Sequence, residues 1–204
     1  MAGRRTDEQA RATRAAILDA ALVTASYKGF DGITIGALAK QLHMSKAGVL
    51  GHFQTKEQLQ LAAHAEASRV FREQVVSPGR EHPAGIERLL AFCALWADFI
   101  QAPPWPGGCV ITAGSFEFDA QESEVGQTFR RGLVRWRDVI EHEAQVAIDA
   151  GDLPPGTDAG QVAYAIVALV TGTIQAIQMH RDEHAGERLK AALALQLGRP
   201  VAVG

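Results

Sequence analysis

T-I-G-A-L-A-K-Q-L-H-M-S-K-A-G-V-L-G-H-F-Q-T-K, residues 34–56, carries two short helical patterns separated by three residues. Thr34 is a good N-cap for a helix over residues 35–42, because its hydroxyl can accept from a backbone N–H that the first turn leaves without a partner. Ser45 does the same for a second helix ending near Phe53. Leu38, Leu42, Val49 and Phe53 are spaced to form a shared core, and Ala39 is small enough for close approach of the two helices. Two helices of about this length joined by a three-residue turn match the helix-turn-helix, whose second helix enters the major groove with its N-terminal residues at the base edges. On that reading Lys46, Ala47 and Gly48 lead into the groove. Thr34, Ser45 and their helix starts face phosphates, as does Lys56.

The flanking sequence extends the helical pattern in both directions. Upstream, a helix starting at Thr6 or Asp7 puts Ile17, Ala20, Ala21 and Thr24 on one face and ends at Lys28, with Gly29 as C-cap. Downstream, Thr55 with Gln58 three residues on reads as a capping box for a helix from Lys56 to about Val76, stopped by Ser77-Pro78-Gly79. Further helical patterns cover residues 84–101, 108–119, 123–151, 159–180 and 183–197, with Asp158 as N-cap of the 159–180 helix, separated by Pro- and Gly-rich breaks such as Pro103 to Gly108. Strand signals are nearly absent. The expected fold is therefore all-α, with an N-terminal three-helix helix-turn-helix head at residues 1–54 and a larger helical body at residues 55–204, about nine helices in total. The 159–180 pattern is apolar almost all round, so the side not used by its own core needs a partner, most simply a second copy. Gly172 and Ile174 are the positions where a charge should then split the dimer.

Composition bounds the function. The chain has 204 residues, 47% hydrophobic and 21% charged, ordinary for a globular protein. Its net charge of −3 argues against general nucleic-acid binding. The average hides a split, for residues 1–60 carry +3 and residues 61–204 carry −6. Such asymmetry points to partners. Two cysteines, Cys93 and Cys109, make neither a disulfide framework nor a zinc set, which fits a reducing, cytoplasmic setting. Asp19 breaks the apolar stretch after the Arg-rich start, so no signal-peptide core is expected. The run Val162 to Val170 is shorter than a membrane span, so no membrane partner is expected.

The segment from Arg14 to Leu61, above all A-I-L-D-A-A-L-V-T-A-S-Y-K-G-F-D-G-I-T-I-G-A-L-A-K, S-K-A-G-V-L-G-H-F and T-K-E-Q-L, closely resembles the DNA-binding domain of TetR-family (tetracycline-repressor-like) transcriptional regulators. The resemblance implies about nine helices, a homodimer through the last two, and a small-molecule pocket in the body whose occupancy changes the separation of the heads. By position, Thr34, Ser45, Lys46, His52 and Lys56 match family positions at the DNA backbone, and Lys46, Ala47 and Gly48 match positions near base edges. Three residues depart from the pattern. Leu50 stands where the family usually has a phosphate-contacting tyrosine, Gly51 replaces a bulkier residue, and His43 holds a turn position usually given to glycine. Arg4 and Arg5 are candidate minor-groove or phosphate contacts from an N-terminal arm.

The body supplies candidate ligand residues in Trp96, Phe99, Trp105, Cys109, Phe116 and Trp136, with Phe92 among the same aromatics, since apolar ligands are held between helices by such side chains. Helix-spaced aromatics also fill cores, and Trp105, in a Pro-flanked loop, has the least reason to be a core filler. Cys109 follows two glycines at a helix start, a setting that favours thiolate, although cysteine there also packs as a small hydrophobe. His180 and His184 lie across an expected helix break and read as a solvated pair, so no metal site is expected. Glu117 and Asp119, two apart on a helix, do not share a face as an acid pair would. No phosphate loop, dinucleotide fingerprint, zinc-protease motif or nucleophile elbow occurs, so neither a cofactor nor an enzyme is expected. The expected function is a ligand-responsive, sequence-specific, DNA-binding transcriptional regulator. Its partners are a palindromic double-stranded DNA operator and a largely apolar small-molecule effector, with a repressor placed ahead of an activator. The alternative is a helical ligand-binding or interaction module without DNA binding, which Leu50 and Gly51 keep open.

Overall fold

The computed structural model describes residues 2–198, with side chains from Asp7 onward. Among these residues there is no strand. The α-helices are α1 (Ala2–Lys28), α2 (Ile35–Gln41), α3 (Lys46–Phe53), α4 (Lys56–Phe71), α5 (Ile86–Gln101), α6 (Val110–Glu117), α7 (Glu124–Asp149), α8 (Ala159–Gln178) and α9 (Ala185–Gln196). α4 continues through a π turn, Arg72–Val76, into a last turn, Ser77–Gly79. The register shift falls just before Pro78, which brings no N–H and crowds the carbonyl four residues back. α1 starts at Ala2 rather than at Thr6 or Asp7. Nothing in the segment A-G-R-R-T breaks a helix already nucleated behind it, so the expected arm has helical backbone. The side chains of Arg4 and Arg5 lie outside the described residues.

The expected caps form. Thr34 Oγ1 accepts from the Ala37 N–H at 3.2 Å, Ser45 Oγ from Gly48 at 2.9 Å, and Asp158 Oδ1 from Gln161 at 3.1 Å. Each replacement by alanine removes about 1 kcal/mol of helix stability. At Thr55 only half of the expected box closes. Its hydroxyl accepts from the Gln58 N–H at 3.1 Å, but its own N–H is taken by the Phe53 carbonyl. His43 does hold the left-handed turn position, with φ 54°.

The chain divides into two compact units, residues 1–69 with 105–130 and residues 70–104 with 131–204. In the first, α2 and α3 share a core of Leu38, Val49 and Phe53, all buried, while Leu42 is only half-buried. Behind them Phe30, Phe118 and Phe129 form an aromatic centre. Phe30 sits edge-on to Phe129 at 5.0 Å, and Phe118 stacks on Phe129 at 5.5 Å. In the second unit, Leu89, Phe92, Ile140, Ile166 and Leu189 are fully buried. Each such side chain contributes about 1.5–3 kcal/mol on leaving water. Ile174 belongs to this buried set at 8% exposure, which corrects its expected place on a dimer face. Gly172 is exposed, and a Cβ built there meets nothing within 4 Å.

Candidate nucleic-acid interface and effector site

The groove-facing side of α3 follows from which of its residues the core claims. Val49 and Phe53 point inward, while Lys46, Ala47, Leu50 and Gly51 are exposed and Gly48 and His52 are half-buried. The Lys46 ammonium lies 3.8 Å from the position of a Cβ on Gly36, so it sits beside the first turn of α2. The hydroxyls of Thr34 and Ser45 serve as cap acceptors, which leaves each O–H free to donate outward. Lys56 Nζ donates to the Asp31 carbonyl at 2.8 Å and to Asp31 Oδ1 at 3.3 Å. This pair is well exposed, so it holds Lys56 in place weakly and leaves its charge available to a phosphate.

Residues outside the motif fix this surface. The Glu117 carboxylate accepts the Phe30 N–H at 2.7 Å and the Asp31 N–H at 2.6 Å. It fills the space beside Gly29, where a Cβ would come within 2.6 Å of Oε2 and where φ is 72°. The positive φ favours glycine there, and a side chain would also displace the carboxylate from its two N–H donors. Gln60, 5% exposed, donates to the Phe30 carbonyl at 2.9 Å. Arg14 lies 4.9 Å over the Phe53 ring. Sequence reading missed Glu117 and Gln60, whose only signals are a polar residue on an otherwise buried stripe of α4 and a carboxylate closing a short helix.

The expected ligand residues fall into both units. In the second unit Trp96, Phe99 and Trp136 gather around Phe71, at ring distances of 6.0, 5.3 and 5.2 Å. Phe92 joins them against Trp136 at 5.2 Å. Trp136 Nε1 is buried there without a hydrogen-bond partner. In the first unit Trp105 is buried at 6%, because its loop is laid against α1, with the Gly107 N–H donating to Ser26 Oγ at 3.1 Å. Cys109 is also 6% exposed and accepts from the Thr112 hydroxyl at 3.5 Å. Phe116 is 64% exposed. Among the described residues no group of three or more His, Cys, Asp or Glu side chains is placed to hold a metal.

Burial shifts two titrating groups. It raises the Cys93 thiol to about 12. It lowers His64, which lies 4.4 Å from the Phe129 ring, to about 4. The folded state therefore favours neutral His64, and its contribution is complete above the unfolded value of about 6.5 and declines as pH falls toward 4. Urea unfolding should show the protein about 2 kcal/mol less stable at pH 5 than at pH 7.5 through this group, a difference absent from His64→Leu. An equal acid loss in that variant would assign the effect elsewhere.

Residues 17–63 match the family described as bacterial regulatory proteins, tetR family, and residues 85–193 match the tetracyclin repressor-like C-terminal domain. The chain belongs to the TetR family. A TetR transcriptional regulator from Chloroflexus aurantiacus J-10-FL is 25% identical, with a TM-score of 0.84 over 95% of this chain and 98% of that one. A TetR-family regulator from Cytophaga hutchinsonii is 17% identical, with a TM-score of 0.78 over 93% and 95% of the two chains. AibR, solved in complex with isovaleryl coenzyme A and operator DNA, is 21% identical, with a TM-score of 0.73 over 89% and 96%. The last two likenesses concern the fold alone. No curated protein sequence matches the chain. As a TetR-family member the protein is a DNA-binding transcriptional regulator, with its helix-turn-helix at α2 and α3 and a C-terminal ligand-binding domain. Homodimers are the rule in the family.

Proposed function

We propose that this TetR-family protein is a cytoplasmic repressor, not an enzyme, that holds a palindromic operator as a homodimer and releases it when a small molecule binds the body. The functional division follows residues 1–54 and 55–204. The observation that carries the DNA reading is the exposed side of α3, flanked by the capped starts of α2 and α3 and by Lys46 and Lys56. Ala47, Gly48 and Leu50 face the groove, and Thr34, Ser45, Lys46, His52 and Lys56 face the backbone. Two heads related by a twofold axis need half-sites about 34–36 Å apart. α8 and α9 form the dimer face.

The effector lies against Trp96, Phe99 and Trp136, with Phe71 and Phe92. The buried indole N–H of Trp136 favours an apolar molecule that carries one hydrogen-bond acceptor, since an unmet buried donor costs about 1–3 kcal/mol. Phe116 is too exposed to line such a site, and Trp105 and Cys109 serve the core of the first unit. An effector coupling of about 1–3 kcal/mol lowers operator affinity about 5- to 150-fold.

Lys46→Ala tests the backbone assignment. With its ammonium beside α2, Lys46 neutralises phosphate, so the variant should bind selected and scrambled duplexes more weakly by the same factor. The salt slope should become shallower by about 0.9 per head. A loss confined to the selected duplex would make Lys46 a base reader.

A further inference from the structure

Residues 47–51 of α3, Ala-Gly-Val-Leu-Gly, bring no hydrogen-bonding side chain to the groove. Val49 is fully buried, while Ala47, Leu50 and Gly51 are exposed, Leu50 at 38%. Spacings of three and four residues set these exposed positions in one strip, opposite Val49 and Phe53. The polar groups at the start of the helix are directed elsewhere. The Ser45 hydroxyl accepts the Gly48 N–H, and the Lys46 ammonium lies beside Gly36. A Cβ on Gly51 would meet nothing within 4 Å, so the fold does not require glycine there.

Base edges in the major groove are told apart by bidentate side chains such as Arg, Lys, Asn and Gln, or by apolar contact with the thymine 5-methyl group. The first means is missing from this strip, and the second fits it. We propose that this regulator identifies its operator by packing Ala47 and Leu50 against thymine methyl groups, with the bare backbone at Gly48 and Gly51 letting α3 sit close to the groove floor. The inference rests on α3 being the recognition helix. Each methyl taken out of water changes affinity about fourfold. Two per half-site, four per dimer, amount to about two orders of magnitude in discrimination, and sequence-dependent DNA shape supplies the remainder.

The test uses the full-length protein and duplexes it selects from a randomised pool about 30 base pairs long, enough for two half-sites. Each thymine of the selected duplex is replaced singly by uracil, which keeps the base pair and removes only the methyl. Uracil at one or two positions per half-site should weaken binding about fourfold each. Leu50→Ala, at a site 38% exposed where alanine suits a helix, should stay folded and melt within a few degrees of the parent. It should bind more weakly and lose the uracil penalty at one of those positions. Uracil without effect at every position, or a full set of penalties retained in Leu50→Ala, overturns the inference while leaving sequence-specific binding intact. A pool that enriches no sequence overturns the reading of α3 itself, and this inference with it.

Discussion

Gly172→Arg should fold as the parent does, sediment as a monomer, and bind operator DNA about 10²- to 10⁴-fold more weakly. That factor is the effective-concentration advantage of two linked heads over one. The fold tolerates the substitution because a Cβ at Gly172 meets nothing within 4 Å and the residue is exposed on α8. The surface does not tolerate it. α8 has an apolar composition, yet it leaves Tyr164 exposed at 67%, Met179 just past its end is 75% exposed, and α9 leaves Leu195 at 68%. An open groove along α8 takes in Ala168, Leu169, Gly172 and Ala176. Small residues in such a groove admit a neighbouring helix, and an arginine there would fill the space that helix needs and have to be desolvated against it. A charge at Ile174 would instead disrupt the core, so Gly172 is the cleaner probe. Unchanged sedimentation would place the dimer face elsewhere.

The largest single loss of stability is expected at Glu143. This carboxylate, 4% exposed, accepts the Gly85 N–H at 2.8 Å and pairs with Arg88 at 3.1 Å. Glu143→Ala leaves a buried N–H unmet and a guanidinium, only 25% exposed, without its counter-ion. Breaking such a pair costs about 3–5 kcal/mol, and in a chain of this size each 1 kcal/mol lowers Tm by about 2–4 °C. Calorimetry should therefore record a fall of about 6–20 °C. Glu143→Gln keeps an acceptor for Gly85 and should lose less. Asp138→Ala, which removes only an exposed partner of Arg137, should change stability by under about 1 kcal/mol. Equal effects of Glu143→Ala and Asp138→Ala would refute the distinction between the buried and the exposed pair.

What the sequence made legible was local. Thr34, Ser45 and Asp158 cap their helices because a hydroxyl or carboxylate three residues before an N–H has no other place to go. His43 holds the left-handed turn, φ 54°, at the position that the resemblance to the TetR family gives to glycine. The groove face of α3 was legible for the same reason, since Val49 and Phe53 fix which side is buried. What remained hidden depends on residues far apart in the chain. Glu117 meets Phe30 across 87 positions, and Glu143 meets Gly85 across 58. No periodicity marks such pairs. Trp105 shows the same limit from the other side. Its proline-rich loop argued for a ligand-facing role, but the loop is pinned to α1 and the indole is buried. Apart from Trp105, the aromatic effector candidates share one signal, a large apolar side chain at helical spacing, and sorting them needs the division of the chain into two units.

The central claim is that α3 makes this protein a sequence-specific regulator. The most direct test is the ratio of affinities for a selected duplex and for its scrambled counterpart, measured by fluorescence anisotropy at about 0.15 M salt with the full-length protein. The predicted result is a selected duplex bound at least about 10³-fold more tightly, with two protected half-sites about 34–36 Å apart. Equal affinity for the two duplexes, with the same salt slope, would contradict it.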